Sequence, residues 1–557
     1  MSLRKLFLPV SILIILAFVL SSVTSAEAHR SRTVNVQILA LNDFHGNLEP
    51  PSGSSGRIGT IDAGGVEYLA THIKNLRQEN RNTVVVSAGD LIGASPLLSA
   101  LFHDEPTIEA FNLIGLDYNA VGNHEFDEGV TELLRMQRGG CHPVDGCQDG
   151  DGFRGARFKF LAANVSYNKN GRTIFPAYRV ENFQGAKVAF IGLTLEGTPS
   201  IVTPSGISNV SFADEADTIN ALVPHLKRRG VNTIVVLIHE GGAQVPSGGI
   251  NECNGISGAI VDIVNRTSDE VDLFISGHTH NAYNCVIDGR VVTSASSFGR
   301  LVTDIDLQID TRTGQPTQIQ AENLIVTRDV TPAARLTALI NKYREISAPL
   351  ANRIIGQITA TITRTANAAG ESPLGDVIAD AQLAATTAPE LGGAQIAFMN
   401  PGGIRADLTY AASGSEGDGN VTYAESFTVQ PFGNSLVTMT LTGQQIKDVL
   451  EQQFDNPAPG QMRILQVSEG FTYTWSQSAP VGSKISNMML NGVPIDLNAT
   501  YRVTVNSFLA DGGDNFTVLR QGTDRLGGAV DTDALEAYFI ANSPVAPGPV
   551  DRITVVP

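Results

Sequence analysis

The chain has 557 residues, with 38 Lys and Arg against 56 Asp and Glu, a formal net charge of −18. That length accommodates roughly two to four domains, each able to bury its own core. Apolar residues make up 42% and charged residues 17%, which excludes a disordered acidic chain and a coiled coil. The spread of negative charge argues against nucleic acid polymers and anionic lipid as main partners, because both would be repelled.

In chain order, Arg4 and Lys5 precede an apolar run from Leu6 to Leu20, and Ala26-Glu27-Ala28 fits a small-x-small cleavage site. Residues 1–28 read as a secretory signal peptide, so a secreted or periplasmic protein is expected, with no stable membrane insertion after cleavage. Four cysteines agree with export. They allow three pairings, of which Cys141–Cys147 with Cys253–Cys285 is preferred because it is local. From 34 to 327, β-rich apolar runs alternate with helix-like stretches. The runs include Val36–Leu41, Thr83–Ser87, Val188–Leu193, Thr233–Ile238 and Val271–Ile275. Their continuous apolar character predicts an α/β unit with strands buried on both faces by helices. Residues 331–353 open on Thr-Pro and carry Leu336, Leu339, Ile340 and Tyr343 at helical spacing, which predicts a linking helix. A second, smaller α/β unit spans 354–557.

Several of the runs end in metal-ligating residues. Val36–Leu41 leads into Asn42-Asp43-Phe44-His45, Thr83–Ser87 into Ala88-Gly89-Asp90, and Tyr118–Val121 into Gly122-Asn123-His124-Glu125-Phe126-Asp127. Thr233–Ile238 ends at His239, and Val271–Ile275 at Ser276-Gly277-His278-Thr279-His280. A single Asp or His at a strand end is more often a helix cap. Here five segments deliver carboxylates, an amide and imidazoles to the carboxyl ends of strands, where open α/β sheets bind ligands. Five of the ten histidines fall in this set. Oxygen and imidazole donors without thiolates suit two divalent cations of the Zn, Mn, Fe or Co type, with Asp90 as the natural bridge. Such a pair clamps a phosphoryl group and generates hydroxide from water.

These motifs resemble the calcineurin-type metallophosphoesterases, and the whole chain resembles the secreted bacterial 5′-nucleotidase/UDP-sugar hydrolase family. The resemblance implies an N-terminal four-layer α/β/β/α metallophosphoesterase sandwich, joined by a helix to a smaller α/β 5′-nucleotidase C-terminal domain. It implies two divalent ions (Zn, Mn or Co), one held by Asp43, His45, Asp90 and His280, the other by Asp90, Asn123, His239 and His278. His124 matches the family's catalytic histidine and Asp127 the carboxylate that orients it. In the second unit the resemblance rests on Asn400-Pro401-Gly402-Gly403-Ile404-Arg405, Pro431-Phe432-Gly433-Asn434 and Asn506-Ser507-Phe508 through Asp514. It implies that Phe432 and Phe508 clamp a nucleobase, that Arg405 binds phosphate, and that Asn400 and Asp514 hydrogen-bond the nucleoside. The implied reaction is release of phosphate from small nucleotides by attack of metal-bound hydroxide. Hydrolysis of 2′,3′-cyclic nucleotides, 3′-nucleotides or UDP-sugars is the alternative within the branch, and an exported nucleotide-binding or adhesion protein is the non-enzymatic one. Two positions depart from the family pattern. No arginine directly precedes Glu371, the nearest cation being Arg364, so one phosphate contact is expected to be missing. Pro401 stands where the family usually has glycine, and should stiffen the turn carrying Arg405.

Overall fold

The computed structural model describes residues 33–557 apart from 52, 203, 245–247, 455 and 457–460. The signal peptide read at residues 1–28 lies outside the described residues. Among those described, no helix is long and apolar enough to cross a membrane.

The first sheet is built from β1 (Thr33–Leu41), β2 (Thr83–Ser87), β3 (Tyr118–Ala120) and β4 (Lys159–Leu161). The second takes β5 (Tyr178–Phe183), β6 (Ala186–Leu193), β7 (Thr233–Ile238), β8 (Leu273–Ser276), β9 (Ala282–Ile287) and β10 (Arg290–Ala295). The chain then returns to the first with β11 (Leu301–Asp310) and β12 (Pro316–Ile325). The orders are β12-β11-β1-β2-β3-β4 and β9-β10-β8-β7-β6-β5. Val36, Ile38 and Val86 of one sheet face Val188, Phe190 and Leu237 of the other in a shared core, all fully buried. Burying side chains of this size stabilises by about 1.5–3 kcal/mol each. Helices α1 (Val66–Leu76), α2 (Glu105–Ile114) and α3 (Gly129–Arg138) cover the outside of the first sheet, and α4 (Glu215–Arg228) and α5 (Ala259–Arg266) the outside of the second. The result is the α/β/β/α sandwich expected. It explains why Thr233–Ile238 is apolar at nearly every position: all six residues are buried, with sheet on one side and helix on the other.

Helix α6 (Ala334–Ala351) starts three residues later than the Thr-Pro signal suggests. The Thr331 carbonyl instead accepts a hydrogen bond from the Thr71 hydroxyl at 2.7 Å. Leu336, Ile340 and Tyr343 pack into the core beneath the first sheet, and the Tyr343 hydroxyl lies 3.0 Å from carboxylates of Glu109 and Asp149. The helix is thereby fastened to the first unit.

The second unit has a five-stranded sheet of β13 (Ile396–Met399), β14 (Ser435–Thr442), β15 (Gln466–Val467), β16 (Thr500–Asn506) and β17 (Thr523–Val530), in the order β15-β13-β16-β14-β17. Helices α7 (Pro373–Thr386) and α8 (Asp531–Asn542) pack on one face. The strand Phe471–Ser476 and the helix Gly443–Glu451 pack on the other. Disulfides join Cys141 to Cys147 and Cys253 to Cys285, the local pairing.

Candidate metal centre and substrate cavity

Register brings the candidate ligands together. Leu41 pairs with Ser87 and Ser87 with Asn119 in parallel, so the loops after β1, β2 and β3 leave the first sheet level with one another. Ile238 pairs with Ser276 in the second sheet, so the loops after β7 and β8 do the same. Packing the sheets face to face superposes the two sets of loops. The backbone then bends sharply: Asp43, His45, Asp90, His278 and His280 all adopt the left-handed region, with φ between 47° and 70°. Non-glycine residues are uncommon there, and such strain clusters at functional sites. Close approach also requires glycine. A Cβ on Gly89 would lie 2.6 Å from His239 Nδ1, and one on Gly122 2.2 Å from Asp90 Oδ1.

The side chains form two donor sets. His45 Nδ1 lies 2.9 Å from the Gly93 carbonyl. A carbonyl only accepts, so Nδ1 carries the proton and Nε2 presents a lone pair. That Nε2 sits 3.0 Å from His280 Nε2, 3.7 Å from Asp90 Oδ2 and 3.9 Å from Asp43 Oδ1. His280 Nε2 is in turn 3.4 Å from Asp43 Oδ1. In the second set, His239 Nδ1 meets the Ala88 carbonyl at 2.9 Å. Its Nε2 lies 2.9 Å from Asp90 Oδ2 and 3.1 Å from Asn123 Oδ1, and Asn123 Oδ1 is also 3.0 Å from His278 Nδ1. Asp90 faces both sets. Lone pairs converging at such distances repel unless a positive centre lies among them, so the donor chemistry fits two divalent cations.

Titration agrees with that chemistry. Burial pushes His45 well below its ordinary value and His278 down to about 3, His239's charge adding to the latter, so both imidazoles are neutral as ligands must be. Burial raises Asp43 and Asp90, but His280 and His239 outweigh it and hold both carboxylates below their usual range. His239 goes the other way. Burial disfavours its charge, yet Asp90 and Asp43 drive it up to about 10. A proton on Nε2 is therefore the competitor a cation must displace.

His124 stands beside both sets, its backbone N–H donating to Asp90 Oδ1 at 2.8 Å. Its Nδ1 lies 2.9 Å from Asp127 Oδ2. Burial opposes protonation of His124, but Asp127 and Asp90 outweigh it and raise its pKa. A protonated ring leaves Nε2–H free to donate towards the cavity.

From the second unit, Arg405 follows the Pro401–Gly403 turn and is fixed by its N–H to the Val429 carbonyl at 2.8 Å. Its guanidinium lies 5.8 Å from the Phe432 ring centre, and Phe432 stacks on His124 at 5.7 Å and 24°. The two units thus meet ring to ring at the candidate centre. Asn400 Nδ2 donates to Asp514 Oδ2 at 3.0 Å, and Asn506 Nδ2 to Asn400 Oδ1 at 2.9 Å. Burial raises the pKa of Asp514. Asp90, Asn123, His124, Asp127, His278 and His280 line one cavity of about 1240 Å³ together with Asn400, Arg405, Phe432, Phe508 and Asp514. Asp43, His45 and His239 stand behind that wall, all at most 1% exposed. Arg364, despite its distance in sequence from Glu371, comes close to Arg405. After burial, its charge is the strongest influence lowering Arg405's pKa.

Three residues that hold the centre have roles that the chain's motifs do not reveal. Glu125 is 3% exposed and accepts from the N–H groups of Asp90 at 2.9 Å, Leu91 at 2.8 Å and Gly122 at 2.6 Å. Burial and the Asp90 charge push it up to about 7. Asn42 donates to Asp43 Oδ2 at 2.6 Å and to the Ser296 carbonyl at 2.7 Å. Both lie inside the quoted motifs, so their place was visible though their job was not. Phe298 has no such signal. It arrives because β11 pairs antiparallel with β1, and it packs 5.4 Å from His280.

A four-layer sandwich with two cation-binding donor sets at the carboxyl ends of its strands defines a metallophosphoesterase. Residues 36–282 match the calcineurin-like phosphoesterases and residues 354–521 the 5′-nucleotidase C-terminal domain. The chain belongs to the family that combines these two domains, the 5′-nucleotidases. A cell wall protein of Listeria monocytogenes is 31% identical over 92% of this chain and 67% of its own length. An endonuclease of Bacillus subtilis is 33% identical over 86% of this chain, which spans only 37% of that protein. The crystal structure of a 5′-nucleotidase precursor from Thermus thermophilus superposes with a TM-score of 0.77, at 28% identity, over 94% of this chain and 99% of that one.

Proposed function

We propose that the protein is an exported 5′-nucleotidase-type phosphohydrolase that releases phosphate from small nucleotides. The observation that carries this reading is a single cavity in which cation donors and His124 face Arg405, Phe432 and Phe508. Asp43, His45, Asp90 and His280 would hold one divalent ion, and Asp90, Asn123, His239 and His278 the other, with Zn, Mn or Co as candidates. Bound there, the pair would neutralise phosphoryl charge and activate water. His124, protonated and oriented by Asp127, donates from Nε2 to a phosphoryl oxygen and stabilises the charge that develops on it. Arg405 offers its guanidinium fork to phosphate oxygens. Phe432 and Phe508 stack on the base, while Asn400 and Asp514 fix the nucleoside. Residues 34–327 and 354–557 are the two functional units in this reading, with 331–353 between them.

The test is hydrolysis of AMP, 3′-AMP, cyclic 2′,3′-AMP, ATP and UDP-glucose, with nucleotide products resolved by chromatography beside free phosphate and with Mn, Co or Zn added in turn. A single-stranded oligonucleotide completes the panel because one relative is named an endonuclease. AMP should be hydrolysed and a chelator should abolish the rate. Asp90→Asn and His124→Ala should each lose at least about 100-fold, the scale of a positioned acid–base group. No AMP hydrolysis with any metal, or losses below about tenfold in both variants, would overturn the reading.

A further inference from the structure

A second cluster of ligand atoms lies away from the centre just described. The Cys141–Cys147 disulfide closes a short hairpin that carries His142 and Asp145. Opposite it stand His103, in the turn before α2, and Glu128, just before α3. His103 Nε2 lies 2.8 Å from Asp145 Oδ2, and His142 Nδ1 lies 3.1 Å from the same oxygen. The ligand atoms of His103, His142 and Asp145 are all within 4.8 Å of one another.

A carboxylate oxygen lies against each ring nitrogen of His103, so a lone pair is available only in the neutral ring. His103 Nδ1 lies 2.9 Å from Glu128 Oε2. A proton there donates to the carboxylate and leaves Nε2 bare towards Asp145. His142 Nδ1 accepts from the Asp145 backbone N–H at 3.2 Å, so that N–H holds its lone pair until the ring turns. Once the His142 ring turns, two imidazole nitrogens and a carboxylate oxygen can face one point. A carboxylate behind one of the imidazoles is the arrangement that metal-ligating histidines generally have.

We propose that His103, His142 and Asp145 bind one divalent transition-metal cation of the zinc class, with Glu128 orienting His103 from behind. The donor set of two imidazoles and one carboxylate, with no thiolate, matches that class. The two rings are stacked at 3.8 Å and 16°, so a cation shared by both requires the His142 ring to turn. His142 stands on a hairpin whose neighbours Pro143, Val144 and Asp145 are exposed, which leaves room for that turn. The competing occupant is a proton, which would make His103 an imidazolium between Glu128 and Asp145.

The position gives such a cation a consequence. His103 and Glu128 line the same cavity as the candidate catalytic residues. Asp104, next to His103, accepts from the Gly93 N–H at 2.9 Å, and the Gly93 carbonyl holds His45. Glu128 follows Asp127. A cation here clips the disulfide hairpin to the two segments that orient His45 and His124.

The experiment uses the untagged full chain, stripped by chelator, equilibrated with Zn²⁺ and freed of excess by gel filtration before elemental analysis. His142→Ala and Asp145→Asn should each bind one equivalent fewer than the parent, whatever the parent's total. Asp90→Asn should remove equivalents independently, so failure of the catalytic pair is read separately. Loading with Co²⁺ gives a second readout: the visible band remaining in Asp90→Asn should vanish when His142→Ala is added. Unchanged stoichiometry in both His142→Ala and Asp145→Asn would overturn the proposal and assign the site to a protonated His103.

Discussion

Glu125 offers the sharpest test of how the centre is held. Its carboxylate is buried and receives three backbone N–H groups from two different ligand loops, those of Asp90 and Leu91 and that of Gly122. Asn119 Nδ2 adds a fourth donor at 3.1 Å. Glu125→Ala leaves the three backbone donors without an acceptor, and none can turn away because each belongs to a constrained loop. A buried donor stripped of its partner costs about 1–3 kcal/mol. Water entering the gap recovers part of this, so the expected destabilisation is about 3–6 kcal/mol. The same loops carry Asp90 and Asn123, so kcat should fall alongside stability. Urea unfolding followed by circular dichroism measures the first, because the one tryptophan, Trp475, lies in the second unit, and phosphate release measures the second. Glu125→Gln retains one oxygen but turns an NH2 towards a donor, and should fall between parent and alanine variant. A Glu125→Ala protein within about 0.5 kcal/mol of the parent, the usual range of a surface substitution, would refute the idea that this carboxylate braces the loops.

Three further outcomes are expected. Asp127→Asn should move the alkaline limb of the pH–rate profile to lower pH. Asp127 helps raise the pKa of His124; under the proposed role the protonated form is the active one, so activity should be lost as pH rises through that pKa, and an unmoved limb contradicts the role. Phe508→Ala should raise KM for AMP about 5- to 150-fold, the value of one base stack, while leaving a base-free ester such as glycerol phosphate nearly unaffected. Asp376 is raised to about 8 by burial, with Arg552 opposing and Glu371 reinforcing. The folded protein therefore holds a proton that the unfolded chain releases, and stability falls as pH rises between about 4 and 8. Asp376→Asn should flatten that slope in thermal unfolding at pH 5 and pH 8, and an equal slope in both proteins counts against it.

Much of the arrangement could be read from the chain because the physics was local. Thr83–Ser87 and Thr233–Ile238 occur as strands with the bounds their apolar runs suggest, since each run is flanked by turn-forming residues. The ligand motifs follow such runs directly, so their convergence follows from parallel pairing alone. What escaped depends on contacts between distant segments. Phe298 reaches His280 through antiparallel pairing of β11 with β1. Arg364 approaches Arg405 through the fold of the second unit. Tyr343 buries against α2 and so fastens the predicted linking helix to one body. His103 and His142 share no motif and meet only because a disulfide hairpin folds back over α3.

The left-handed backbone at Asp43, His45, Asp90, His278 and His280 restricts how the centre could be re-engineered or drift. Aspartate, asparagine and histidine are the non-glycine residues that tolerate this conformation best, and β-branched or bulky side chains resist it. At these five positions backbone sterics and coordination chemistry select the same short alphabet. Exchanging an aspartate for glutamate, or a histidine for a longer donor, meets resistance before any ion is considered. Asn123, with φ at −73°, and His239, at the end of a regular strand, carry no such restriction. Variation that retunes which metal is preferred is expected to concentrate there.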